Sequence, residues 1–481
     1  MYSSDLNSTA SPSSQNHPVL WRSYLAFLVP MIISNMLQAL SGTANNIYLG
    51  QMLGVGAMAS VSAFFPVFFF LIAFMIGLGS GAAVLIGQAW GAKELDRVKA
   101  IAGTTLMVGF LAGLTVALFG GTFTETMLQA LGTPSDILPG ATAYARVMLI
   151  ATPAIFIFLL VTSMLRGVGD TKTPLFILLI STVLSFILTP ALIRGWLGLP
   201  QMGVTSGAYA AGVSFLVAMG WAVWYLLRST NLRRDTHSSA MYALAQPMVK
   251  HPLAPDAAFL KHLRINRDIL AKVLKIGLPT GLSMITISLA EIAVLFLVNR
   301  YGSQATAAYG AVNQIVNYVQ FPAISIAIAA SILGAQAIGA GRGNTLGKIA
   351  KTGIMLNVVL TGSLVIICLL FSRNIIGLFI TDPAVVELAQ TLLHIMLWSS
   401  VIMGMSMVLS GLMRASGEVV MPTAITMMCI LCIEIPTAWA LSNTYGINGI
   451  WAAYPITFSA MLALQTTYYR LVWRKKPIKR L

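Results

Sequence analysis

The sequence predicts an all-α integral membrane protein, with twelve transmembrane helices in two six-helix repeats around a central cleft. Three observations carry that prediction. Of 481 residues, 57% are hydrophobic and only 9% charged. Apolar runs of about 20 residues, enough to cross about 30 Å of hydrocarbon, recur along the whole chain. Finally, motifs of the first half return in the second at one fixed offset.

Twelve spans follow from the hydropathy. The first half holds 24–49, 58–89, 99–122, 139–165, 174–197 and 204–227; the second holds 275–299, 305–337, 348–372, 385–413, 422–444 and 447–470. Their length argues helices, since barrel strands are shorter and alternate in polarity. Residues 1–19 are polar and read as a disordered tail, and 20–228 form a first lobe. A basic linker follows at 229–274, then a second lobe at 275–471 and a basic tail at 472–481. The linker piece FLKHLRINRDILAKVLKIG has a basic and an apolar face, so it is expected to lie along the membrane surface.

The net charge of +15 could suggest a nucleic-acid partner, but its placement excludes one. Of 29 Lys and Arg, only Arg146, Arg194, Arg300 and Arg373 fall outside one set of alternate loops and the C-terminal tail. That asymmetry places both termini and the linker in the cytoplasm, against anionic lipid headgroups. The three cysteines sit in apolar spans, and Cys429-x-x-Cys432 has no companion ligands, so neither a disulfide nor a metal site is expected.

The halves are related. Gln88-Ala-Trp-Gly91-Ala returns as Gln336-Ala-Ile-Gly339-Ala, 248 residues later. At the same offset Arg166-Gly-Val-Gly169-Asp170-Thr-Lys-Thr-Pro174 returns as Arg414-Ala-Ser-Gly417-Glu418-Val-Val-Met-Pro422, and Gly54 as Gly302. Six spans per half point both repeats the same way, with a pseudo-twofold axis along the membrane normal. Such parallel repeats suit an alternating-access transporter whose site lies where the halves meet. In the two loops Arg166 and Arg414 are placed to pair with Asp170 and Glu418 or with the opposite loop. They form either a plain loop clip or half of an inner gate.

Two acids lie deep in apolar spans. Glu291 is in span seven and Glu434 in span eleven, within CILCIEIPTAW. A buried acid costs about 2.5–3.5 kcal/mol on insertion scales, so it is rarely kept without a partner or a task. Counted from the inner ends at about 1.5 Å per residue, their depths differ by only about 4–5 Å. Facing one another, they would share a proton or clasp a cation. Pro436 would free a carbonyl beside them. On span eight, Asn313, Asn317 and Gln320 share one face too polar for lipid, lining a wet cavity or gluing helices.

The twelve spans, the six-plus-six repeat and the two loop motifs resemble the multidrug and toxic compound extrusion (MATE) family across about residues 20–472. The resemblance implies two lobes around a central cleft. It also implies export of cationic or amphipathic compounds in exchange for inward H⁺ or Na⁺. Pro30 matches the family's bend-forming proline on span one. Fifteen residues on, where many bacterial members carry Asp, stands Asn45; the family's Asn-x-x-x-Asp on span five reads Ser185 and Thr189. These three residues can line a substrate cavity, but none takes up a proton at accessible pH. Coupling then falls to Glu291 and Glu434, with Met403 near the place where another branch carries an acid on span ten.

The expectation is therefore a monomeric inner-membrane antiporter. It would take small organic cations or amphipathic drugs, with H⁺ or Na⁺ as the coupling ion and no other cofactor. A lipid-linked saccharide flippase of the same superfamily is the alternative, although the spans offer no interior Lys or Arg for a pyrophosphate. A membrane-embedded enzyme is a further alternative, without a nucleophile or metal constellation to support it.

Overall fold

The computed structural model describes residues 17–228 and 251–481, so the N-terminal tail up to residue 16 and linker residues 229–250 lie outside the described residues. Spans one to three are Leu20–Leu53, Gly56–Gly91 and Leu95–Gly120, and spans five and six are Lys172–Arg194 and Gly203–Arg228. Spans seven to nine are Arg267–Asn299, Ser303–Gly339 and Gly343–Leu370; spans eleven and twelve are Val420–Tyr445 and Ile447–Lys475. Spans four and ten are bent pairs: Leu138–Ile150 with Thr152–Gly167 at 53°, and Pro383–Met396 with Ser399–Ala415 at 42°. The sharp bends thus recur at equivalent places of the two lobes. Pro153, which lacks an N–H, marks the first; no proline marks the second. Span one, in contrast, runs as one unbroken helix through Pro30.

The repeat extends to backbone conformation. Gly54 and Gly302 have φ of 85° and 97°, and Gly169 and Gly417 have φ of 95° and 83°. Equivalent turns in both lobes therefore occupy a region that side chains disfavour, which is why glycine stands at each.

The linker departs from expectation. Its basic amphipathic end is no separate surface helix: Arg267 opens span seven, capped by Asn266, whose side chain accepts from the Asp268 amide at 3.0 Å. Lys272 and Lys275 sit exposed on the first turns of that span. The preceding residues lie against span three instead. Thr104 Oγ1 donates to the Arg264 carbonyl at 2.9 Å, and a Cβ at Gly103 would stand 2.1 Å from the His262 carbonyl.

Burial shows how the lobes meet. One apolar cluster joins both lobes at the end bearing the linker and the C-terminal tail, hereafter the basic end; it includes Leu28, Ile86, Ile332 and Leu412. At the opposite end each lobe has its own cluster, around Phe64 and Tyr144 in the first and around Val312 and Trp451 in the second. Among the described residues, every hydrogen bond between the lobes lies in the basic half. The lobes are closed there and part toward the other end, which opens the cleft.

Candidate functional site

Span seven carries Leu282, Leu289, Ile292 and Phe296 on one exposed, lipid-facing side. Glu291 is two residues, about 200° of helix, beyond Leu289, so it is exposed on the opposite face, toward the cleft. Glu434 is buried at 5% exposure. It ends a π-helical segment, Cys429–Glu434, within span eleven. Such segments insert one residue per turn and often mark functional positions. Pro436, in the next turn, has no N–H to give the Cys432 carbonyl.

The structure brings the two acids together. The charge of Glu291 reaches the Glu434 carboxyl, and both reach the hydroxyls of Tyr309 on span eight and Tyr454 on span twelve. Those hydroxyls lie 3.3 Å apart. Tyr309 stacks on Trp451 with ring centroids at 5.6 Å, and the Trp451 Nε1 is buried without a hydrogen-bond partner. Among the described residues neither carboxyl receives a hydrogen bond, and no group of three or more His, Cys, Asp or Glu is arranged to hold a metal ion. Two carboxyls, two phenols and an indole thus gather where spans seven, eight, eleven and twelve meet. Tyr454 and Trp451 were not expected from sequence; their only signal is two polar-tipped aromatics one turn apart on span twelve.

The other cavity residues divide. Asn317 is exposed and Asn313 partly so on the cleft side of span eight, whereas Gln320 donates to Met403 Sδ at 3.6 Å and ties spans eight and ten. In the first lobe the Asn45 amide presses on Gly207 of span six, and its Oδ1 is buried without a donor. Ser185 is half-buried and Thr189 buried; no hydrogen bond joins either to Asn45 among the described residues.

At the basic end the two acids of the repeated loops meet partners other than the arginines. Among the described residues Arg166 and Arg414 make no ion pair. Asp170 instead caps span five, accepting from the amides of Lys172 at 3.1 Å and Thr173 at 3.0 Å and from the Thr173 hydroxyl. The His251 imidazole stands 3.6 Å away. Burial alone would raise the Asp170 carboxyl, but His251 and the Thr173 donors outweigh it and hold it below the usual carboxylate range. Glu418 pairs with Lys476 at 2.8 Å. A cap wins over the i,i+4 pair because first-turn amides have no other acceptor.

The lobes are joined by the other repeated motif. Gln88 donates to the Ala415 carbonyl at 2.7 Å, and its repeat mate Gln336 donates to the Gly167 carbonyl at 3.1 Å. The two bonds are twofold related. A Cβ at Gly91 would stand 2.1 Å from the Gln336 carbonyl, and one at Gly339 would stand 1.9 Å from the Gln88 carbonyl. Spans two and seven also cross closely, with a Cβ at Gly77 2.4 Å from the Gly277 carbonyl. Only glycine permits main chains this near.

Comparison with known proteins agrees with this architecture. The MatE family model matches residues 30–191 and 279–440, one segment in each lobe. The chain is 42% identical over 469 residues to the "Probable multidrug resistance protein YoeA" of Bacillus subtilis, covering 97% of each. It is 24% identical to the "Multidrug export protein MepA" of Staphylococcus aureus, covering 94% of each. A solved outward-facing multidrug resistance MATE family transporter superposes with a TM-score of 0.80 at 22% identity, covering 95% of this chain and 98% of that one. With the family segments falling on the two repeats, and a relative alike from end to end, the chain is a member of the MatE family of membrane transporters.

Proposed function

We propose that this protein is a cation-coupled antiporter that exports organic, predominantly cationic compounds by alternating access, with its basic end in the cytoplasm. Glu291 and Glu434 hold the coupling ion, H⁺ or Na⁺. The observation that carries the reading is the pair of neighbouring carboxyls at the cleft, neither receiving a hydrogen bond from the protein among the described residues. Two neighbouring carboxylates repel when both are ionised, so the pair favours occupation by a proton or a hard cation. The phenol oxygens of Tyr309 and Tyr454 supply further oxygen ligands beside them. An ion arriving from the open side neutralises the acids and releases a cationic substrate outward. Losing it inward restores the charge that recruits the next substrate. Asn313 and Asn317 of the second lobe face substrate as neutral polar groups, and the first lobe offers Asn45, Ser185 and Thr189, none of them titrating, at its own cavity positions. The multidrug names of the relatives support the export direction and the broad substrate class.

The test is uphill efflux of a fluorescent organic cation from reconstituted vesicles, under separately imposed pH and sodium gradients. Glu291→Gln keeps shape and removes charge, so it should fold normally and lose gradient-driven export at least tenfold, on the order of the 1.4 kcal/mol that tenfold represents. Glu434→Gln should keep partial activity with a shifted pH or sodium optimum. A well-expressed Glu291→Gln protein with wild-type rate and ion dependence would overturn the assignment.

A further inference from the structure

The tail that follows span twelve crosses from its own lobe to the other. Trp473 Nε1 donates to Ser416 Oγ at 2.9 Å, and Lys476 Nζ donates to Glu418 at 2.8 Å and to the Tyr468 hydroxyl at 3.2 Å. These contacts hold the start of the tail on the second lobe. Beyond them Arg480 pairs with Glu94, which opens span three of the first lobe. The Leu481 amide donates to Gln88 Oε1 at 2.9 Å, and Arg97 donates to the Leu481 main-chain oxygen. The Leu481 side chain packs back against Gly417.

Gln88 is one of the two glutamines that join the lobes. With its Oε1 held by the Leu481 amide, its Nε2 is aimed at the Ala415 carbonyl. Gln336, its repeat mate, makes the equivalent bond to Gly167 without such a second contact among the described residues. The tail therefore adds an asymmetric link to a twofold junction, at the place where the lobes must part if the transporter is to open at its basic end. From this we infer that residues 476–481 act as a clasp across the basic end, holding it shut and biasing the protein toward the state open at the other side.

The inference rests on the alternating-access reading for its consequence, but not for its geometry. Arg480 is also the main cause of the lowered Glu94 carboxyl, as expected of a formed pair. The groups involved are partly exposed, so each contributes modestly and salt weakens them. Together they should shift the ratio of the two states by about fivefold.

The measurement is the distance across the basic end between spin labels at Lys99→Cys and Lys348→Cys, with the three native cysteines replaced. A chain truncated after Pro477 should raise the open-to-closed ratio about fivefold, and Arg480→Glu and Glu94→Arg should each raise it about two- to threefold. The double exchange Arg480→Glu with Glu94→Arg should return it to within about twofold of wild type, a rescue that mere packing would not give. Gly339→Ala serves as a reference that forces the basic end apart. If it opens while the truncated chain does not, or if the exchange fails to rescue, the clasp is wrong and alternating access stands. If neither opens, both fail.

Discussion

Gly339→Ala perturbs the lobe junction at its tightest point. The added Cβ would lie 1.9 Å from the main-chain oxygen of Gln88 in the other lobe. Carbon and oxygen rest roughly 3.3–3.6 Å apart, so spans two and eight must part by roughly 1.4–1.7 Å. No rotamer relieves the clash, because both partners are main chain. Overpacking of this kind costs about 1–3 kcal/mol. The cost falls on the state in which the lobes touch, and it leaves each lobe's own packing intact. The equilibrium should therefore move toward opening at the basic end by about 5- to 150-fold. Gly91→Ala, 2.1 Å from the Gln336 carbonyl, is the twofold counterpart and should act alike. The double variant should add less than the sum, since one separation relieves both clashes. Gly347→Ala has nothing within 4 Å, and should leave the distances unchanged. The label pair at Lys99 and Lys348 reads the outcome. Wild-type distance distributions in well-folded Gly339→Ala and Gly91→Ala proteins would refute the claim that these crossings close the basic end.

Other expectations are simpler to check. Asp170→Asn keeps an acceptor oxygen and removes only the charge, so near neutral pH it should weaken the cap of span five by less than the roughly 0.5–2 kcal/mol of a change to alanine. Because the Asp170 carboxyl is held low in the folded protein, its contribution is present above the unfolded value near about 3.9 and lost as pH falls through the folded one. Wild-type and Asp170→Asn melting temperatures should accordingly converge below about pH 3.9, and a gap that persists unchanged into acid would contradict the assignment. For topology, Ser239→Cys in the linker should resist impermeant thiol reagents in intact cells; labelling as ready as at a cysteine in the 132–137 loop would reverse the orientation.

The twelve spans, the two-lobe repeat and the depth of Glu291 and Glu434 in apolar spans were legible in the sequence because each reflects a local cost. Lipid thickness acts on any run of about 20 residues, and an acid in such a run is conspicuous wherever the chain then folds. Tertiary structure decided what these residues meet. The recurrence of Gln88 and Gly91 as Gln336 and Gly339 identified equivalent positions, but not that the two copies lie against each other. The Gln88–Ala415 bond spans 327 residues, and no local pattern encodes it. Arg166 and Asp170 have the spacing of an ion pair, yet the amides of Lys172 and Thr173 were nearer and already lacked acceptors. Depth counted at a uniform α-helical rise could bring Glu434 near Glu291, but could not foresee the π-helical segment that ends at Glu434. Nor could it supply Tyr309, Tyr454 and Trp451 as the walls, since those side chains come from two other helices whose rotation is set by packing. Membrane insertion is a property of segments, whereas a pocket is a property of how segments turn toward one another.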